Sequence, residues 1–278
     1  MKKQIITVFN LVTISIFLSL ILLLMNTSSF NNHLIVLFLI GIVSSFVGTL
    51  AGGGGLITLP AMMLTGIPIQ TSIATNKFSS GIAAFSSVFY LIHRKQLSKK
   101  TIIKNLSVAF MGGIGGAIFT AQVSEKAMNK IALILLFFAL IVTLKNNKWT
   151  KTIQLDQNKS SDTVWHALVP FFIAAYDGGF GPGSSTFCIL YYMKKQHTYF
   201  KAVQLTRVLI FGSCAGGFII FYQTGFLQWS YAVAMALGSI IGSQIGLLVL
   251  PKVPLKIAKS LLITIICLLI TQMLYKII

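Results

Sequence analysis

Acidic residues are nearly missing from this chain. Four Asp and Glu residues stand against 22 Lys and Arg, and charged residues of both signs make up only 9% of the 278 positions. Soluble globular domains carry roughly a quarter, so the composition fits lipid and not water. Cysteine is scarce as well. Cys188, Cys214 and Cys267 lie in separate apolar runs without the paired spacing of a metal or redox motif, and they read as small core residues. The four histidines, His33, His93, His166 and His197, fall near expected helix ends, and none stands at helical spacing from another His. That removes the constellation a metal centre or a nucleophilic enzyme needs. Nothing resembles a nucleotide-binding P-loop, so direct use of ATP is not indicated. No cofactor, metal or catalytic set is expected, and the chain reads as a non-enzyme.

What the chain has in quantity is apolar sequence, 55% of its residues. The runs are about 20 residues long, the length a helix needs to cross a hydrocarbon core of about 30 Å. They cover 5–25, 33–66, 71–92, 102–121, 127–144, 164–193, 202–223, 230–250 and 255–275. The first follows Lys2 and Lys3, is long for a signal-peptide core, and is followed in 26–32 by no small-x-small cleavage pattern. It is therefore expected to stay as a first helix. The formal charge of +18 lies in short segments between the runs and not along an amphipathic face. These segments are topology signals, and nucleic acid is not an expected partner.

Two runs, 33–66 and 164–193, are too long for a single crossing, and both contain glycine clusters. The first holds Ala51, Gly52, Gly53, Gly54 and Gly55; the second holds Asp177, Gly178, Gly179, Phe180, Gly181, Pro182 and Gly183. Glycine costs a helix about 1 kcal/mol and interior proline about 3. Each run therefore reads as two short helices joined by a break.

Loops rich in Lys and Arg belong in the cytoplasm. The basic groups are Arg94, Lys95, Lys99, Lys100 and Lys104; Lys145, Lys148, Lys151 and Lys159; Lys194, Lys195 and Lys201; and Lys252, Lys256 and Lys259, while 26–32 and 224–228 are uncharged. All the basic groups fall inside only if each broken run turns back to the side it came from. The expected fold class is thus an all-α polytopic membrane protein of two inverted repeats. Each repeat is a glycine-broken re-entrant helix pair plus three transmembrane helices, with an extra N-terminal helix. The expected divisions are an N-terminal helix over 1–32, a first repeat over 33–144, a cytoplasmic loop over 145–163 and a second repeat over 164–278. Ala74, Thr75, Asn76 and Lys77 after the first cluster are echoed by Gln204, Leu205, Thr206 and Arg207 after the second. Gly112 and Gly116 are likewise answered by Gly238, Gly242 and Gly246. The last two sets have the spacing of a helix-packing face.

A helix that restarts inside a membrane presents bare N–H groups and the positive end of its dipole, which attract anions. Those restarts fall near Gly55 and near Gly183, Ser184 and Ser185. The candidate substrate-binding residues are Gly53, Gly54, Gly55, Asn76, Lys77, Gly181, Gly183, Ser184, Thr206 and Arg207. Against this stands the plainer reading that the glycines only let helices cross closely. Lys77 and Arg207 lie about six residues into apolar helices, as anion ligands or gates, or else snorkelling to the headgroups. Asp177 is the single carboxylate inside an apolar run, since Glu125, Asp156 and Asp162 lie in loops. It is the candidate for proton coupling, with pairing to Arg207 or Lys77, or capping of the break, as alternatives.

At these residues the chain resembles the sulfite exporter TauE/SafE family, in the branch with Ala-Gly-Gly-Gly-Gly, Ala-Thr-Asn-Lys and Tyr-Asp-Gly-x-Phe-Gly-Pro-Gly. Here these are Ala51 to Gly55, Ala74 to Lys77 and Tyr176 to Gly183. The likeness runs from about Phe38 to the C-terminus. It implies a multi-pass protein of the cytoplasmic membrane that moves small anions, often sulfite or organosulfonates, coupled to an ion gradient. A channel of the same architecture is the alternative, and a membrane-embedded enzyme a lesser one. The branch often has an acid where this chain has Gly48, and commonly Lys where this chain has Arg207. The expected partners are a small anionic substrate and the lipid bilayer, with a homodimer left open.

Overall fold

The computed structural model describes residues 30–52, 54–124 and 165–252, with single positions at 127, 134, 141, 260, 263 and 267. The expected first helix, the runs 127–144 and 255–275, and the loop 145–163 lie almost wholly outside these residues. Among the described residues all regular structure is helical.

The first glycine cluster ends a helix and starts another. Helix α1 (Phe30–Ala51) has 22 residues and stops at Gly52, whose φ of +82° lies in the left-handed region that lacks a penalty only for glycine. Helix α2 (Gly54–Leu64) follows with 11 residues, about 16 Å of rise and roughly half a hydrocarbon core. Helices α3 (Ile69–His93) and α4 (Lys99–Ala121) are 25 and 23 residues long. The second half repeats this order as α5 (Trp165–Gly179), α6 (Ser184–Lys194), α7 (Tyr199–Gln223) and α8 (Trp229–Val249), which is followed by a short 3-10 turn over Leu250–Lys252. Gly54 and Ser184, Ile69 and Tyr199, and Lys99 and Trp229 are helix starts, and each pair is 130 positions apart. In both halves the helix after the break has 11 residues and the next has 25.

Packing follows the same exchange. α1 lies on α8 as α5 lies on α4; α3 touches α8 as α7 touches α4; and α3 and α7 meet each other. The two large contacts use the glycines of the helix-packing faces. A β-carbon on Gly116 would stand 1.7 Å from the carbonyl oxygen of Ala175, and one on Gly112 2.6 Å from that of Phe171. On the other side, β-carbons on Gly238 and Gly242 would stand 2.0 and 2.1 Å from the carbonyl oxygens of Phe38 and Ile42. Backbones approach this closely only where side chains are missing.

Large apolar side chains face outward, and charged and polar side chains lie buried within the apolar core. Phe89, Phe119, Phe172 and Leu248 are exposed, whereas Lys77, Asp177, Arg207, Gln204 and many Ser and Thr residues are buried. A water-facing protein would reverse that arrangement. Among the described residues, four helices carry stretches long and apolar enough to cross a membrane: His33–Leu50, Lys99–Ala121, Tyr199–Gln223 and Trp229–Val249.

Candidate functional site

The two breaks lie against each other. A β-carbon on Gly52 would stand 2.7 Å from the backbone nitrogen of Thr186, and one on Gly55 3.2 Å from the carbonyl oxygen of Gly181. The end of α1 is thus pressed on the first turn of α6, and the start of α2 on the second break. Gly181 and Gly183 turn that break with φ of +102° and +79°, and Gly183 is the N-cap residue of α6. Gly53 lies outside the described residues.

Six helices leave a polar cavity at this junction. α1 contributes Ser44, Ser45 and Gly48; α2 contributes Gly54, Gly55 and Thr58; α3 contributes Asn76, Ser80 and Ala83. Asp177 comes from α5, Gly181 from the break, Ser184 and Ser185 from α6, and Arg207, Ile210 and Cys214 from α7. The cavity gives about 30 Å³ to the centres of water-sized groups, room for about two of them.

The two buried cations do different things. Arg207 is 6% exposed and lines the cavity, and its buried Nε has no hydrogen-bond partner among the described residues. A buried charge left in this way is costly until an anion or water meets it. Lys77 is 1% exposed, and its ammonium donates to the carbonyl oxygen of Asp177. That oxygen belongs to the last turn of α5. The break diverts the N–H of Gly181 to the carbonyl oxygen of Tyr176, and a cation suits the negative end of the helix dipole. Lys77 therefore closes the second break from the first half of the chain and does not snorkel.

Asp177 is 4% exposed, and both its carboxylate oxygens accept hydroxyl protons, Oδ1 from Ser184 on α6 and Oδ2 from Ser213 on α7. The thiol of Cys214 lies 3.6 Å from Oδ2. The carboxylate thus ties three helices together through side chains and does not cap bare backbone N–H groups. Asn76 faces the cavity with its Oδ1 accepting from Ser80 at 2.9 Å. Thr206 turns away and donates to the carbonyl oxygen of Ala202 at 2.8 Å within its own helix. The sequence reading missed Ser44, Ser45, Thr58, Ser80, Ser213 and Cys214. Ser44 and Ser45 were visible as adjacent hydroxyls in an apolar run, and Cys214 stands seven residues, two helical turns, beyond Arg207.

Gly48 has no room for the acid that the resembling branch often carries. Its β-carbon would stand 2.8 Å from the Cα of Gly54 and 4.0 Å from Nη2 of Arg207. The side chain would displace the start of α2, which borders the same cavity.

Residues 37–273 match the sulfite exporter TauE/SafE family. The chain belongs to this family. Among similar proteins, probable membrane transporter protein ORF9 of Sinorhizobium sp. is 30% identical over 230 residues, covering 82% of this chain and 87% of that protein. A probable membrane transporter protein of Haemophilus influenzae is 30% identical over 215 residues, 77% of this chain and 83% of its own. Probable membrane transporter protein YfcA of Escherichia coli K12 is 28% identical over 218 residues, 76% and 78% respectively. No solved structure matches the chain. This TauE/SafE protein is a multi-pass membrane transporter, and its relatives carry transporter names and not enzyme names.

Proposed function

We propose that this TauE/SafE protein is a secondary transporter that carries a small anion, sulfite or an organosulfonate, at the junction of its two breaks, driven by an ion gradient. The observation that carries this reading is Arg207: a buried guanidinium facing a polar cavity with a donor that no described residue accepts. The helix starts at Gly54 and Ser184 border the same cavity and add the positive ends of two helix dipoles. The present cavity has room for an ion nearer the size of sulfite than of a long sulfonate.

The two halves are an inverted repeat with re-entrant helix pairs, and α2 and α6 dip from opposite leaflets. The constant offset of 130 positions between helix starts and the exchange of packing partners between halves support this. In such a fold the site sits near the bilayer midplane, and the halves rock about it to expose it to each side in turn.

Purified protein in liposomes tests the proposal. Saturable uptake of sulfite or a sulfonate, accelerated by an imposed ion gradient, is the expected result. No flux of any small anion under any gradient would sink it, and unitary currents would make the protein a pore.

A further inference from the structure

The offset of 130 positions reveals one place where the halves differ in chemistry. Where α4, α5 and α7 meet, Gly113, Gly179 and Gly217 let backbones touch. β-carbons on them would stand 2.3 Å from the carbonyl oxygen of Ser213, 2.6 Å from that of Gly116 and 2.6 Å from that of Gly178. The matching positions, each 130 away, are Ser243, Thr49 and Ser87. These lie where α1, α3 and α8 meet, and here three hydroxyls gather instead. Ser87 Oγ is 2.7 Å from Ser243 Oγ, and Thr49 Oγ1 is 3.5 Å from it. The carbonyl oxygen of Ala83 lies 3.0 Å from Ser87 Oγ and 3.3 Å from Ser243 Oγ. All three side chains are 0% exposed. Close helix packing is satisfied by glycine, as the other half shows, so packing alone does not call for this knot of oxygens.

We infer that Thr49, Ser87, Ser243 and the Ala83 carbonyl form a binding site for a small monovalent cation, sodium by size, which is coupled to anion transport beside the proton-carrying role expected of Asp177. The inference rests on the transporter reading above and names a driving ion. Hard cations take oxygen ligands, and neighbouring ligands at right angles around an ion held at about 2.4 Å stand about 3.4 Å apart. Three of the four separations, 3.0, 3.3 and 3.5 Å, lie near that value, and the 2.7 Å hydrogen bond between Ser87 and Ser243 opens to admit the ion. Thr49 donates its proton to the carbonyl oxygen of Ser45 at 2.7 Å, and Ser87 donates to Ala83, which leaves hydroxyl lone pairs for a cation. All four ligands are neutral, so they suit one positive charge and not two. Among the described residues no group of three His, Cys, Asp or Glu side chains is placed to hold a metal ion.

The cluster also touches the anion cavity. Ala83 lines the cavity, as does Ser45, whose carbonyl holds Thr49. A cation there adds its field to that of Arg207, so each ion favours binding of the other, and this coupling is reciprocal.

The test uses full-length protein in detergent, with chloride held constant and sodium, potassium or N-methylglucamine as the cation. Sodium alone should raise the thermal midpoint without any anion present, and should tighten sulfite binding several-fold. Ser87→Ala and Ser243→Ala should abolish both effects while keeping sulfite binding in sodium-free buffer. Thr49→Val, which keeps the shape and removes the oxygen, reads the same site if a serine variant fails to fold. A wild-type protein indifferent to sodium, or a sodium response unchanged in a folded variant, overturns the inference. Sulfite binding without a sodium effect would leave the anion site standing. A sodium shift without sulfite binding would remove the proposed substrate and keep the cation site.

Discussion

Lys77 and Arg207 occupy the ninth position of α3 and of α7, 130 residues apart, yet only Arg207 presents a donor that no described residue accepts. Lys77 is committed to the carbonyl oxygen of Asp177. Of two cations at equivalent places, one thus faces the cavity as the proposed anion ligand and the other clasps the break behind it. The difference follows from the asymmetry of the breaks: α5 carries its carboxylate residue into the last turn, whereas the matching position 47 in α1 is a buried valine.

Arg207→Ala should weaken sulfite binding about 10- to 100-fold, the value of a hydrogen-bonded charged group of about 1.5–3 kcal/mol, with membrane insertion unchanged. Lys77→Ala should instead lower thermal stability by about 1–3 kcal/mol, because a buried carbonyl loses its partner. Calorimetric titration and thermal melting separate the two. Unchanged binding in the arginine variant would remove that residue from the site.

Asp177→Asn exchanges an acceptor-only group for one that carries its own N–H donors, against two hydroxyls that both donate to it. Flux should fall, and the profile of flux against pH should change shape. Ser213→Ala and Ser184→Ala each remove one donor and should have a smaller effect. An Asp177→Asn profile that overlays the wild type would end the proposed proton-coupling role.

Gly116→Ala and Gly242→Ala should cost folded yield and several degrees of melting temperature, since their β-carbons would fall 1.7 and 2.1 Å from facing carbonyl oxygens. Gly115→Ala, one position away with nothing within 4 Å, should be silent. Gly48→Ala should mainly reduce flux, because it pushes the start of α2 towards the cavity. Size-exclusion profiles and melting curves of the Gly116, Gly242 and Gly115 variants, with liposome flux of Gly48→Ala, check the set, and equal damage at Gly115 would count against the packing geometry.

Cysteines placed at Arg94 and Lys195, after replacement of the exposed Cys267, should react with a membrane-impermeant reagent from the same side. Cys188 and Cys214 are buried and need no change. Labelling from opposite faces would rule out the re-entrant pairs.

The sequence alone marked where the helices break, because Gly52 and the run Gly181, Pro182, Gly183 oppose helix locally, whatever surrounds them. It also marked the packing faces, because glycines four apart stand on one side of any helix. The depth of Lys77, Arg207 and Asp177 within apolar runs could be counted along the chain. The partners of these side chains could not. The bond from Lys77 to Asp177 spans 100 positions, and the hydroxyls on Asp177 come from two further helices. Such contacts depend on how the helices cross, which no local propensity sets. Tertiary packing alone also decided that Thr206 turns into its own helix while Ser213 and Cys214 reach the carboxylate, since a helix shows every face to its sequence and only one to its neighbour.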